Sequence, residues 1–252
     1  MSHQGVRVEC ISTRLSPLFQ SFRKPVCRYL CIFDSFDRYN MKPSVPEVKP
    51  STVGPTEGEG GWTVEQIPKD TEHGRKLYHG VYRPFRLKML KEAPNSFSST
   101  LARETAFDEE VWERRFENPL ALTFVALVPD QSHQSAMSVG KIVSALTLRG
   151  PFHIPPHQGE DVNVSTDPYW EINAVYTDLE YRRMGIASAV LEEAVQHVIS
   201  VQQKMGLRRF SLKVGVMMGN EEAKALYEKA GFVLVGKDSD GGDDLVRYFG
   251  GD

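Results

Sequence analysis

The spacing of apolar positions changes repeatedly along this chain, and each change marks an element. Residues 122–128 (LTFVALV) and 140–148 (GKIVSALTL) are short apolar runs rich in β-branched side chains. They predict two strands joined by the polar connection 129–138. Residues 170–177 predict a third strand. Beyond it, Val190, Leu191, Ala194, Val198 and Val201 recur at helical spacing and predict a helix over 186–205. A strand over 210–216 follows, then a helix over 221–230 that stops at Gly231, a residue suited to ending helices. Two last strands, 232–235 and 245–249, flank the acidic loop 238–244. Upstream, residues 87–93 and 109–116 predict helices separated by Pro94-Asn95. Pro151, Pro155, Pro156 and Pro168 predict a long irregular loop over 149–169. Two helices, two strands and then β-α-β-α-β-β predict an α/β or mixed α+β sheet with helices on both faces.

The first 61 residues do not join this pattern. Residues 1–33 hold Arg7, Arg14, Arg23, Lys24 and Arg28 against Glu9 alone, mixed with Ser, Leu and Phe. That composition suits an organellar transit segment. It also suits an unstructured leader, or a chain whose start is Met41. Residues 42–61 are rich in Pro, Gly, Ser and Thr and predict a flexible linker. The expected organisation is a leader and linker over 1–61 and one folded domain over 62–252.

Composition narrows the class. The chain has 252 residues, 40% hydrophobic and 25% charged, as in soluble globular proteins. A net charge of -3 argues against bulk attraction to nucleic acid or anionic membrane. No apolar run approaches the roughly 20 residues that span a bilayer. The three cysteines, Cys10, Cys27 and Cys31, all precede the predicted domain. A disulfide framework, a cysteine nucleophile in the core and a metal site are therefore not expected. The expected compartment is the cytoplasm, or the mitochondrion if residues 1–33 act as a transit segment.

The candidate chemistry begins where the strand over 170–177 gives way to the helix. The turn carries Arg182-x-x-Gly185-x-Ala187. Small residues at a strand-to-helix turn let backbone N–H groups converge on a phosphate. A Walker loop is absent, and a Rossmann fingerprint fails for lack of its third glycine. On its own the turn is equally an ordinary corner in which Gly185 serves local geometry.

A second segment gives the turn its context. Asn220, Ala223, Leu226, Tyr227, Gly231 and Phe232 fall into Asn-x-x-Ala-x-x-Leu-Tyr-x-x-x-Gly-Phe. Together with Tyr181-Arg182-Arg183-Met184-Gly185-Ile186-Ala187, this closely resembles the GNAT superfamily of N-acetyltransferases over residues 170–236. Upstream the likeness is looser: residues 90–97 and 109–115 resemble the helices that wall the acceptor site. Leu179-Glu180 replaces the family's frequent Pro-Glu, and Ala187 stands at a position that is often Gly. The resemblance implies a mixed, mostly antiparallel central sheet flanked by helices and splayed between its fourth and fifth strands. It also implies acetyl transfer from acetyl-CoA to a primary amine by direct attack, with no metal and no covalent enzyme intermediate. The alternative is an acyl-CoA-binding module that regulates a partner without turnover. The acceptor, a small molecule or a protein amine, is open, as is the choice between monomer and homodimer.

The same resemblance assigns roles. Backbone amides of Arg183, Met184, Gly185, Ile186, Ala187 and Ser188 would hold the CoA pyrophosphate, with Arg182 and Arg183 side chains either reaching phosphate or lying solvated. The strand Val175, Tyr176, Thr177 would pair with the pantetheine arm, an N–H there stabilising charge on the thioester oxygen. Tyr227 would protonate the departing thiolate; otherwise it packs. Asn220 would order its loop and contact CoA, or simply cap a helix. Strand alternation puts Glu171 on the face of Asn173 and Val175, toward the cleft, as a candidate base or a solvated strand-end residue. His197 reads as structural, and Arg83 and Arg86 as candidates for an anionic group on the acceptor.

Overall fold

The computed structural model describes residues 61–129, 140–153 and 167–250, with the backbone of Thr56–Glu57. The expectations for residues 1–55, for the connection 130–139 and for residues 154–166 lie outside these. The strands are β1 (Thr56–Glu57), β2 (Thr63–Gln66), β3 (Ala121–Val128), β4 (Lys141–Phe152), β5 (Tyr169–Thr177), β6 (Phe210–Val216), β7 (Val233–Lys237) and β8 (Asp243–Phe249). They form one sheet in the order β1-β2-β3-β4-β5-β6-β8-β7. Every neighbouring pair is antiparallel except β5 and β6. Counted from β2, that parallel pair is the fourth and fifth strands, where the splay was expected. The mixed fold with flanking helices is the one anticipated.

Two apolar layers cover the sheet. On one face, α5 (Ile186–Lys204) lays Ile186, Val190, Leu191, Ala194, Val195 and Val198 against Phe124, Leu146, Leu148, Trp170, Ile172 and Leu212. The i, i+4 spacing of these positions makes one continuous stripe. α6 (Glu221–Lys229) joins this layer through Tyr227. The other face is covered by α1 (Glu72–Leu77), a π-helical turn at Tyr78–Tyr82, α2 (Arg83–Glu92) and α4 (Glu109–Glu117). Leu77, Tyr78, Tyr82, Phe85, Met89, Trp112 and Phe116 pack there on Val125, Ile142, Ala145 and Tyr176. A short helix, α3 (Leu101–Thr105), links the walls.

The structure departs from expectation in three places. The sheet starts at Thr56, inside the expected linker, because Thr56 and Glu57 pair with Val64 and Thr63. A helical stretch precedes the helix expected at residue 87. Gly74, Gly80 and Pro84 disguise it. Gly74 sits where a Cβ would meet the Pro68 carbonyl oxygen, so close packing rather than flexibility explains it. Pro84 falls in the first turn of α2, where its missing N–H is tolerated. Finally, β4 continues through Pro151 to pair Phe152 with Tyr169, so the expected irregular loop is shorter. Pro151 lies where the β4–β5 register breaks, a position that tolerates a lost ladder donor.

Candidate functional site

β5 and β6 run side by side only from Tyr169↔Ser211 to Ile172↔Val214. Beyond Ile172, β5 stays with β4, pairing Asn173 with Thr147, Tyr176 with Ala145 and Thr177 with Ser144. Its other edge parts from β6. The result is a wedge lined on one side by the backbone of Val175 and Thr177, which β6 no longer pairs. Parallel pairing is the right start for such a wedge, since two strands entering side by side can diverge toward their shared C-terminal end.

A left-handed residue sits in the wedge wall. Ala174 has φ 55°. This bulge resets the alternation of β5. Trp170 and Ile172 point to the α5 layer, whereas Ala174 and Tyr176 point to the α2 layer and Val175 returns to the α5 layer. Glu171 therefore does not share a face with Val175, correcting the alternation read from sequence. Glu171 lies on the α2 side, with Arg149 and Lys213 as its register neighbours. Its carboxylate is 3.6 Å from Arg149 Nη1. Burial pushes its pKa above the ordinary carboxylate value, opposed by Arg149 and Lys213.

The turn after β5 has the geometry of an anion cradle. Leu179–Tyr181 form a single 3-10 turn, Arg183 has φ 63°, and Gly185 has φ 80° as the N-cap of α5. Gly185 offers no side-chain cap. The first bond into α5 is Ala189 N to Gly185 O at 3.0 Å. The amides of Ile186, Ala187 and Ser188 thus begin the helix without acceptors among the described residues, at the positive end of its dipole. Ile186 is buried and anchors the turn, while Met184 and Ser188 are exposed. Nothing lies within 4 Å of where a Gly185 Cβ would stand, so the space before the turn is open. These features fit a bound pyrophosphate.

The two arginines behave differently from free phosphate ligands. Arg182 Nε donates to Thr177 O at 3.1 Å, tying the turn to the end of β5. Arg182 and Arg183 also reach Glu222 of α6, at 3.7 and 3.4 Å. They bridge the turn to the first turn of α6. Asn220 caps α6, its Oδ1 accepting from Ala223 N at 3.3 Å. Tyr227 is buried, with its ring edge-on to Phe232 at 5.6 Å. Burial lifts its phenol well above the usual tyrosine value.

Sequence reasoning missed the pins that hold α2 to the wedge. Lys88 Nζ lies 2.8 Å from Asp178 Oδ2, and one turn later Glu92 accepts from the Tyr176 hydroxyl. Their i, i+4 spacing was the available signal. Tyr176 thus presents its side chain to the helices, and only its backbone borders the wedge. Arg86 is buried in an ion pair with Glu104, and Arg83 pairs with Glu109. His197 is structural as expected, between Phe124 and Trp170. The acidic loop is tied locally: Asp238 accepts from Asp240 and Gly242 amides, and Asp243 pairs with Lys224 and Lys237. Among the described residues there is no group of three His, Cys, Asp or Glu placed to hold a metal ion. No helix among them is long and apolar enough to cross a membrane.

Residues 88–232 match the Acetyltransferase (GNAT) family, and the chain belongs to it. It is similar to an uncharacterized N-acetyltransferase, YsnE, of Bacillus subtilis (strain 168), at 38% identity over 79 residues. That match covers 31% of this chain and 50% of the relative, so the chain spans half the length of the curated protein it matches. Among solved structures it is similar to the GNAT domain of S. lividans PAT (17% identity, TM-score 0.47, covering 75% of this chain and 90% of that one). Arabidopsis thaliana NAA60 with acetyl-CoA is a further neighbour (15% identity, TM-score 0.43, covering 75% and 97%).

Proposed function

We propose that this protein transfers an acetyl group from acetyl-CoA to a primary amine by direct attack. The observation that carries the reading is the wedge opening beyond Ile172 and Val214 beside the uncapped turn at Gly185. Acetyl-CoA supplies an activated thioester; the chain supplies position and protons. The amides from Arg183 to Ser188, with Met184, Gly185, Ile186 and Ala187 between, hold the pyrophosphate. Val175, Tyr176 and Thr177 offer backbone groups to the pantetheine arm, and an N–H there polarises the thioester carbonyl. Glu171 accepts a proton from the ammonium form of the acceptor, directly or through one water. Its raised pKa makes it a better base than an ordinary carboxylate. Tyr227, kept neutral by burial, donates to the departing thiolate. Arg182 acts through the turn it ties, and Asn220 through the loop it caps.

Calorimetry with acetyl-CoA, CoA and ATP tests the reading. Micromolar binding of acetyl-CoA, together with thiol release in the presence of amines, supports it. Absence of acetyl-CoA binding overturns it.

A further inference from the structure

The face of the sheet opposite α5 carries a transverse row that the transfer chemistry does not fully use. Arg149 on β4, Glu171 on β5 and Lys213 on β6 are consecutive register partners. Leu148, Ile172 and Leu212 beside them face the α5 layer, so by alternation the three charged residues share the other face. The adjoining row is Phe152, Tyr169 and Ser211. Phe152 and Tyr169 rings lie 5.3 Å apart. Arg149 sits over Phe152 at 5.5 Å, and Lys213 Nζ sits over Tyr169 at 3.9 Å. On the opposite side of Glu171 along the strand, the Asn173 side-chain nitrogen is buried without a hydrogen-bond partner.

This row is one register step from the apex of the wedge, since β5 and β6 part after Ile172 and Val214. An amine at Glu171 therefore has a cation on each flanking strand. The Glu171 carboxylate lies 3.6 Å from Arg149 Nη1. Lys213 rests on an aromatic face rather than on Glu171. The strip sets an acid beside a lysine on neighbouring strands. It accommodates a ligand that brings its own negative charge beside its amine. Neighbouring strands lie about 4.8 Å apart. That spacing suits an ammonium and a carboxylate separated by one to three carbons.

We propose that the acceptor is a carboxylate-bearing amine of the amino-acid type, with its ammonium at Glu171 and its carboxylate at Lys213. The proposal rests on the transferase reading and names the substrate class of the same site. Lys213 is then the residue that sets specificity, and the Phe152–Tyr169 pair offers an apolar platform to the rest of the acceptor.

The test compares L-amino acids with their own carboxamides and decarboxylated amines, using the full chain, acetyl-CoA and thiol release. The expected result is a kcat/KM for acids at least about tenfold above that for the matching amides. Lys213→Gln then collapses that ratio by raising the KM for acids, and Lys213→Arg restores it. Amides or polyamines used as well as acids overturn the proposal. So does a Lys213→Gln variant that keeps the ratio. Loss of acetyl-CoA binding in the unaltered chain is a different outcome: it removes the transferase reading itself. Acetyl-CoA binding with indifference to the carboxylate removes only the acceptor class.

Discussion

Glu171 and Val175 lie on opposite faces of β5, although a regular strand would put residues four apart on the same face. The left-handed Ala174 between them, at φ 55°, causes the reversal. One consequence is a division of labour. Val175 belongs to the α5 layer and its backbone to the wedge, while Glu171 faces the α2 side beside Arg149 and Lys213. In the proposed reaction, cofactor and acceptor contacts are thereby drawn from one strand without competing for the same surface.

Glu171→Gln tests the acceptor side. Its amide cannot take a proton, so kcat/KM at neutral pH is expected to fall about 100-fold, within the usual range for a lost general base. The pH–rate profile is the sharper readout. With Glu171 as the base, activity is expected to need the ionised carboxylate and to decline as pH drops through its pKa, which burial raises above the ordinary carboxylate value. That acidic limb should vanish in Glu171→Gln. If it persists, the base is another group.

Tyr227→Phe tests the donor. The ring stays in the apolar layer against Phe232, so unfolding free energy should change by less than about 1 kcal/mol. Acetyl-CoA affinity should stay within about threefold, while kcat falls at least about tenfold. Equal losses in affinity and rate would make Tyr227 a packing residue only.

Gly185→Glu separates binding from folding. No atom lies within 4 Å of the added Cβ, so the side chain projects into open space. The backbone at φ 80° costs a non-glycine residue about 1 kcal/mol. A thermal melt should show this modest loss, and calorimetry should show acetyl-CoA binding lost, because a carboxylate now faces the anion cradle. Retained binding would mean that the turn is only a corner.

How much of this was legible in the chain depends on the range of the forces involved. Strands over 122–128 and 170–177 and the helix from Ile186 follow from local periodicity, and the Gly185 turn from its small residues. The helices before residue 87 were hidden because Gly74 is a packing contact with Pro68 and not a breaker. The bulge at Ala174 left no mark, since alanine carries no conformational signature for positive φ. The Arg86–Glu104 pair was hidden because Glu104 is distant in sequence and met only through the packing of α2 and α3. Lys213 lies within the strand expected over 210–216, and only the register places it beside Glu171.

His197 links stability to pH. Burial lowers its pKa from 6.5 to about 4, so the folded state holds it neutral. The unfolded chain binds this proton below about pH 6.5, so stability is complete above that value and declines as pH falls toward 4. The shift, discounted for partial exposure, corresponds to a loss on the order of 2 kcal/mol. Urea titrations between pH 7 and 4 should show the slope, and His197→Leu should flatten it.

Glu104 governs a lower window. Its carboxylate accepts from Arg86 Nη2 at 2.7 Å, Arg86 Nε at 3.1 Å and Arg115 Nη1 at 2.9 Å. Burial raises its pKa, but the two guanidiniums outweigh that and hold it at about 2. Its contribution is present above the unfolded value near 4.5 and is lost as pH falls from there toward 2. Glu104→Ala strands the buried Arg86 guanidinium in the wall formed by α2, α3 and α4 and should cost about 3–5 kcal/mol at neutral pH. The same wall carries Lys88 and Glu92, which pin α2 to Asp178 and Tyr176 beside the wedge. In the proposed reaction the acceptor lies on this side, so loosening the wall should raise the KM for acceptor amines more than it weakens acetyl-CoA binding. Equal effects on both ligands would show that the wall supports the whole fold and not the acceptor side in particular.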